Sequence, residues 1–494
     1  MNFRIIAKTL GVLSVLIGFT MAACWAYAFF DYRAGTETDL ELSAARALGI
    51  STAISFGLGI LLYLSGIGSA NEVLRREAIV IVGLSWLLVG ILGALPYYLC
   101  EPGLGVFESI FESVSGFTTT GSSVMSDIES FPRSILMWRS VTQWLGGIGI
   151  LVVFVAVLSF LGVGSRSLVQ QESSLNISDS GAARIREVAF TLLKVYLTLS
   201  VVCCLGLLAL GMPPFEAVCH AMTTIATGGF SPMNTSIGHY QDVWIEIWIV
   251  IFMFLASIGF MLYVFLVNRK WSRLRNEEEA RYYLIMILIA IAAIALDLRY
   301  DTENHTYPLA IRDAFFNVVS ICSTTGFAVS DYDEWPLFSE MMLMLLMLIG
   351  GCAGSTAGGI KMNRVILFAK ISTAELVRSF RPHQVFRIKL NGIAPDERVF
   401  ITVSFFIAMG FAIAGASSIL VTLLEPQLDT ISAFGCVFAT LFNIGPGFEA
   451  VGPTDNFGFL GSDTLMLLSF LMILGRLEFF ALMALFVPSL WKRY

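Results

Sequence analysis

The chain has 494 residues, of which 56% are hydrophobic and only 14% charged, with a formal net charge of −7. That is too apolar for a water-soluble globular protein. Apolar runs of 18 residues or more recur, each long enough to cross a hydrocarbon core of ~30 Å.

The first runs, at 9–30 and 48–68, predict a transmembrane hairpin within residues 1–73. The leading run is long, lacks a clear small-residue cleavage site and is followed by further spans, so it does not read as a signal peptide. Four longer units follow, at 74–164, 184–270, 281–372 and 398–494, each read as a spanning helix, a short half-helix and a second spanning helix. The predicted fold is an all-α polytopic membrane protein: a two-helix hairpin plus four pseudo-symmetric helix–pore-helix–helix repeats around one central pore, about ten crossings and four half-helices.

The repeats are recognised by one spacing. Glu108 to Gly121, Glu216 to Gly229, Asp313 to Gly326 and Ser432 to Gly445 are each thirteen residues apart. A small residue follows each first position: Ser109, Ala217, Ala314 and Ala433. The stretch between is too short to span and is tolerated at membrane depth only where protein or water surrounds it. The acid, or Ser432 in the last copy, is expected to cap free N–H groups at the helix start. Prolines at 213, 214 and 308 add start signals in two copies. The C-terminal dipole ends then face inward, where a cation is stabilised.

Before each glycine lie the residues expected to present backbone oxygens: Thr118, Thr119 and Thr120 before Gly121; Thr227 and Gly228 before Gly229; Thr324 and Thr325 before Gly326; Asn443 and Ile444 before Gly445. Four carbonyl-lined loops can replace the water shell of a monovalent cation. A single glycine per loop supplies the positive φ that holds the carbonyls in place.

Basic residues cluster at Arg4/Lys8, Arg75/Arg76, Arg166/Arg184/Arg186, Arg269 to Arg281, Lys370 to Arg398 and Lys492/Arg493, alternating with acidic segments. This assigns both termini to the cytoplasm. The acidic outer segments would concentrate cations there. The loops at 163–187 and 371–398 are too short for separate domains, and no nucleotide-binding motif appears. Eight scattered cysteines without CxxC spacing read as small hydrophobes, and four histidines show no metal-ligand spacing.

Residues 350–359, GGCAGSTAGG, interrupt the second span of the third unit. Their small residues fit either a helix-packing ladder of Gly350, Gly354 and Gly358 or a break that places a loop in the pore. The break is favoured because both flanks are good helix formers. The loop would then gate through Gly350, Gly351, Gly354, Ser355, Thr356, Gly358 and Gly359. Arg476, in the last span, is expensive there and is a functional candidate. Glu478, two residues on, faces elsewhere on a helix, so loop carbonyls are the expected partners of Arg476. Lys361 and Lys194 are expected to snorkel to the cytoplasmic interface. Arg139 has no assigned role.

The stretches TTTGSS (118–123), ATGGFS (226–231), STTGF (323–327) and FNIGPGFE (442–449) resemble the four filter loops of the Trk/Ktr/HKT potassium transporter superfamily. The N-terminal hairpin and the FNIGPG form are most similar to bacterial TrkH-type subunits. The resemblance covers essentially the whole chain. It implies potassium (K+) uptake across the bacterial inner membrane by a homodimer, each protomer with its own pore. It also implies an intramembrane loop in the third repeat, an arginine at the place of Arg476, and a cytosolic ring of RCK-type subunits that bind nucleotides. No organic cofactor on this chain, no nucleic-acid partner and no enzyme activity are expected. Ser355 as the nucleophile of an intramembrane hydrolase lacks a base. A secondary transporter also uses broken helices; four parallel units rather than two inverted halves argue against an organic solute, while cation-coupled symport with sodium or protons is the alternative.

Overall fold

The computed structural model describes residues 1–34, 38–68, 74–160, 181–301, 306–384, 387–392 and 394–492. Much of the expected cytoplasmic loop at 163–187 lies outside them. In chain order the principal helices are α1 (Phe3–Ala34), α2 (Thr38–Ser65), α3 (Arg75–Leu99), α4 (Val106–Phe117), α5 (Arg133–Phe160), α6 (Gly181–Ala209), α7 (Pro214–Ile225), α8 (Val243–Ser257) and α9 (Met261–Val267). Then come α10 (Glu279–Asp301), α11 (Tyr307–Cys322), α12 (Leu337–Met347), α13 (Met362–Phe380), α14 (Glu397–Leu424), α15 (Thr430–Leu441) and α16 (Ser462–Arg476).

Among the described residues, six helices are long and apolar enough to cross a membrane, or seven with the bent pair α8 and α9. Between 22% and 44% of each such apolar window is buried, so most of these side chains face outward. Phe19, Leu61, Ile289, Ile401 and Leu423 are exposed on them. A surface this apolar is stable only against lipid: this is a multi-pass membrane protein.

The continuous run at 243–267 is not one straight crossing. α8 and α9 meet at 97° across a break at Ile258, Gly259 and Phe260. The break has a cause. The freed Ser257 carbonyl accepts from the Cys352 N–H at 2.8 Å, and the Phe260 N–H donates to the Gly354 carbonyl at 3.0 Å. The 350–359 segment fills the gap and satisfies the groups that a helix break exposes.

The short helices α4, α7, α11 and α15 have 12, 12, 16 and 12 residues. Their starts are less uniform than the spacing implies. Glu108 accepts from the Gly105 N–H, but Glu216 takes the Tyr240 hydroxyl. Asp313 lies beyond the first turn of α11, which begins at Tyr307. α15 is capped by Asp429, which accepts from the Ile431 and Ser432 N–H groups, so Ser432 is not the cap. The interior of the fold is aromatic: Trp138, Tyr97, Tyr196 and Phe260 are fully buried. The eight cysteines are free thiols.

Candidate functional site

All four short helices end the same way. In α4 the Thr119 N–H donates to Gly116 O and the Thr120 N–H reaches back to Ser115 O. The same pair recurs at Thr227/Gly228, Thr324/Thr325 and Asn443/Ile444. This is a helix C-terminus closed by one left-handed residue. That residue is Thr119, Thr227, Thr324 or Asn443, with φ of 52°, 52°, 54° and 55°. The loop sequences predict positive φ at the glycine alone. The structure has two such residues per loop, with φ of 93°, 79°, 79° and 112° at Gly121, Gly229, Gly326 and Gly445. A β-branched threonine in this region is strained by about 1–2 kcal/mol, a cost met at sites where geometry matters more than stability.

The four loops touch in cyclic order. A Cβ added to Gly121 would lie 2.2 Å from the Gly228 carbonyl oxygen, and one on Gly229 would lie 1.9 Å from Thr325 O. One on Gly326 would lie 2.2 Å from Ile444 O, and one on Gly445 would lie 2.9 Å from Thr120 O. Each glycine packs against the next loop, and the fourth returns to the first. The thirteen residues singled out in the sequence thus form one cluster, at the meeting point of four helix C-termini with their partial negative charge. Side chains brace it. The hydroxyls of Thr118 and Thr120 lie 2.7 Å apart, and those of Ser323 and Thr325 2.8 Å apart. Asn443 Nδ2 donates to Thr120 Oγ1 at 2.8 Å, and the Ser122 hydroxyl donates to Gly445 O at 2.6 Å.

The 350–359 segment is a folded loop, not a helix-packing ladder. Gly350 packs against the Gly358 carbonyl of the same loop, and Ile349 and Ile360 form a parallel bridge. The loop reaches three of the four helix-end turns. The Gly358 N–H donates to Thr324 Oγ1 at 2.6 Å, and the Gly359 N–H to Phe442 O at 2.8 Å. Thr356 Oγ1 donates to Ile225 O at 3.1 Å and accepts from Thr227 Oγ1 at 3.2 Å. The Ser355 hydroxyl is spent on Cys352 O at 2.6 Å, which leaves it no proton-accepting partner for nucleophilic chemistry.

Arg476 is buried at the end of α16, and its Nη1 donates to Thr356 O at 2.8 Å. Glu478 pairs instead with Arg364 at 2.5 Å. Lys361 is half-buried, and its Nζ turns back to donate to Ala357 O of the loop. Two residues passed over in the sequence also belong to the site. Glu112, buried in α4, pairs with Arg139 at 2.6 Å, and Gln143 Nε2 donates to Gly228 O at 2.6 Å. The signal available was a charge in the middle of an apolar half-helix and an arginine without a partner.

A ring of helix ends and carbonyls is one means of holding a cation, and known proteins share this whole chain. The family model described as TrkH, cation transport protein, matches residues 50–493. The chain belongs to the TrkH family. It is 36% identical to the Trk system potassium uptake protein TrkH of Salmonella typhimurium and to that of Escherichia coli, over 100% of each chain. It is 32% identical to TrkI of Halomonas elongata over 89% of this chain and 91% of that one. The crystal structure of the potassium transporter TrkH from Vibrio parahaemolyticus superposes with a TM-score of 0.88 at 30% identity, covering 100% of both chains.

Proposed function

We propose that this chain takes up potassium across the bacterial inner membrane through a filter formed by its four pore loops. The observation that carries the reading is the cyclic contact of Gly121, Gly229, Gly326 and Gly445 with the carbonyls of the neighbouring loops. An ion on the axis of that ring meets backbone oxygens on all sides and the negative ends of four helices. Relatives named for potassium uptake agree in family and fold. Each of the four units, at 74–164, 184–270, 281–372 and 398–494, contributes one turn. The ten crossings then include interrupted ones, at α8–α9 and α12–α13.

The loop at 350–359 is the gate in this reading, because it hydrogen-bonds to the underside of loops two, three and four. Arg476 holds it through Thr356. Its cationic side chain in the path also opposes ion passage. The basic segments on the side of both termini fit a cytoplasmic face, where an RCK-type nucleotide-binding subunit would dock and release the loop. A homodimer with one pore per protomer completes the reading.

Expression in a potassium-uptake-deficient bacterial strain at low external potassium tests this. Growth rescue, with purified protein passing potassium in preference to sodium in liposomes, is the expected result. No rescue, together with flux indifferent to the cation, overturns it.

A further inference from the structure

A buried salt bridge lies beside the ring. Glu112 of α4 and Arg139 of α5 are joined by an Nε–Oε1 contact of 2.6 Å. The same carboxylate accepts from the Ser123 hydroxyl at 3.1 Å and the Val124 N–H at 3.0 Å, just beyond Gly121. The same guanidinium donates from Nη1 to Ser231 O at 2.8 Å, and lies 3.7 Å from the Phe230 ring centroid, just beyond Gly229. One ion pair therefore ties the outer ends of loops one and two. Gln143, one turn further along α5, adds a second grip. Its Nε2 donates to Gly228 O at 2.6 Å, and its Oε1 accepts from the Phe230 N–H at 3.1 Å. Loop two is held on both sides of Gly229 by a single helix.

Among the described residues, loops three and four have no such grip from α5 and meet the 350–359 segment instead, as loop two also does. Thr324 and Phe442 accept from Gly358 and Gly359 of the 350–359 segment. Loop two also meets this segment through Thr227 and Thr356, and loop four is also held by α16 through Asn443 Nδ2 and Met472 O, so what sets loops one and two apart is the grip from α5.

We propose that Arg139 and Gln143 are positioning residues for ion discrimination, holding loops one and two at fixed spacing. The inference rests on the filter reading. An oxygen ring separates ions of different size only while its oxygens resist closing on the smaller one. A buried, stacked guanidinium that donates from two nitrogens, to the Glu112 carboxylate and to Ser231 O, resists in a way that a lysine of equal charge does not. Gln143 acts on the same loop without carrying charge.

The test is the ratio of potassium to sodium flux in liposomes for Arg139→Lys, Gln143→Leu and Gly229→Ser. Thermal midpoint and the flux gain from adding Arg476→Ala are measured alongside. Arg139→Lys and Gln143→Leu are each expected to lower the ratio about tenfold, which corresponds to about 1.4 kcal/mol of lost discrimination. The gain from Arg476→Ala persists in both. A purely structural role would lower the amount of folded protein and leave the ratio per folded molecule intact. An unchanged ratio in both variants, with Gly229→Ser altering it, overturns the inference and spares the filter reading. An unchanged ratio in all three overturns both. Should Arg139→Lys fail to fold, Gln143→Leu decides alone, and an unchanged ratio there overturns the inference.

Discussion

Arg476 Nη1 donates to the Thr356 carbonyl oxygen at 2.8 Å, joining the end of the last long helix to the middle of a loop 120 residues earlier. Among the described residues, Nε and Nη2 of the same guanidinium have no hydrogen-bond partner. A buried cation with unsatisfied donors is a net cost to stability. Arg476→Ala should therefore raise cation flux several-fold in the absence of any partner subunit, while the thermal midpoint stays level or rises. Tracer rubidium flux and thermal unfolding in detergent check the pair. Lower flux with a lower midpoint would make Arg476 a structural keystone instead.

Thr324 offers a second handle on the same loop. Thr324→Val removes the acceptor of the Gly358 N–H and leaves that donor buried and unpaired, at about 2 kcal/mol. The loop should leave its place more often, giving higher basal flux. Thr324→Ser restores the hydroxyl and should restore low flux. Equal flux in the valine and serine variants would show that this contact does not hold the loop.

Gly229 and Gly211 separate backbone strain from ring contact. Both have positive φ, 79° and 92°, but a Cβ on Gly229 meets Thr325 O at 1.9 Å while one on Gly211 has open space. Alanine costs each about 1–2 kcal/mol in conformation. Gly211→Ala should lower the thermal midpoint and leave ion preference untouched. Gly229→Ala should abolish or randomise transport. Flux ratios for potassium and sodium decide between these outcomes.

Much of the site was legible because its signals are local in the chain. The thirteen-residue offsets, the glycines and the small-residue run at 350–359 all survive inspection of one strand of text. The left-handed threonines were not, because a β-branched residue is a poor advertisement for that geometry; only Asn443 hinted at it. Arg139 and Glu112 lie 27 positions apart, and Gln143 and Gly228 lie 85 apart. Spacing carries no trace of such pairs. Hydropathy placed Lys361 near the interface but cannot say which way its amine turns. The run at 243–267 reads as one span because, Glu246 apart, it is almost wholly apolar, and Ser257 and Gly259 alone mark the bend.

Asp333, in the loop that follows Gly326, gives a pH dependence. Burial first, then the charges of Asp331, Glu449 and Glu340, push its carboxyl from 3.8 up to about 7, against the lowering effect of a backbone hydrogen bond from Glu449. The folded protein therefore keeps this proton where the unfolded chain loses it. Its contribution to stability falls as pH rises from about 4 through about 7. Above that, the outer mouth gains a negative charge that attracts cations. The potassium concentration for half-maximal uptake should fall between pH 6 and 8, and Asp333→Asn should flatten that dependence. An identical pH profile in Asp333→Asn would remove Asp333 from the account.

The cyclic ring is tested most directly by locating the ion. Crystals of the protein grown in rubidium or thallium salts, measured at the anomalous edge, should give a peak on the axis enclosed by Gly121, Gly229, Gly326 and Gly445, within coordinating distance of backbone oxygens from all four loops. Ordered ions elsewhere in the membrane-spanning region, with an empty axis at that level, would contradict the account.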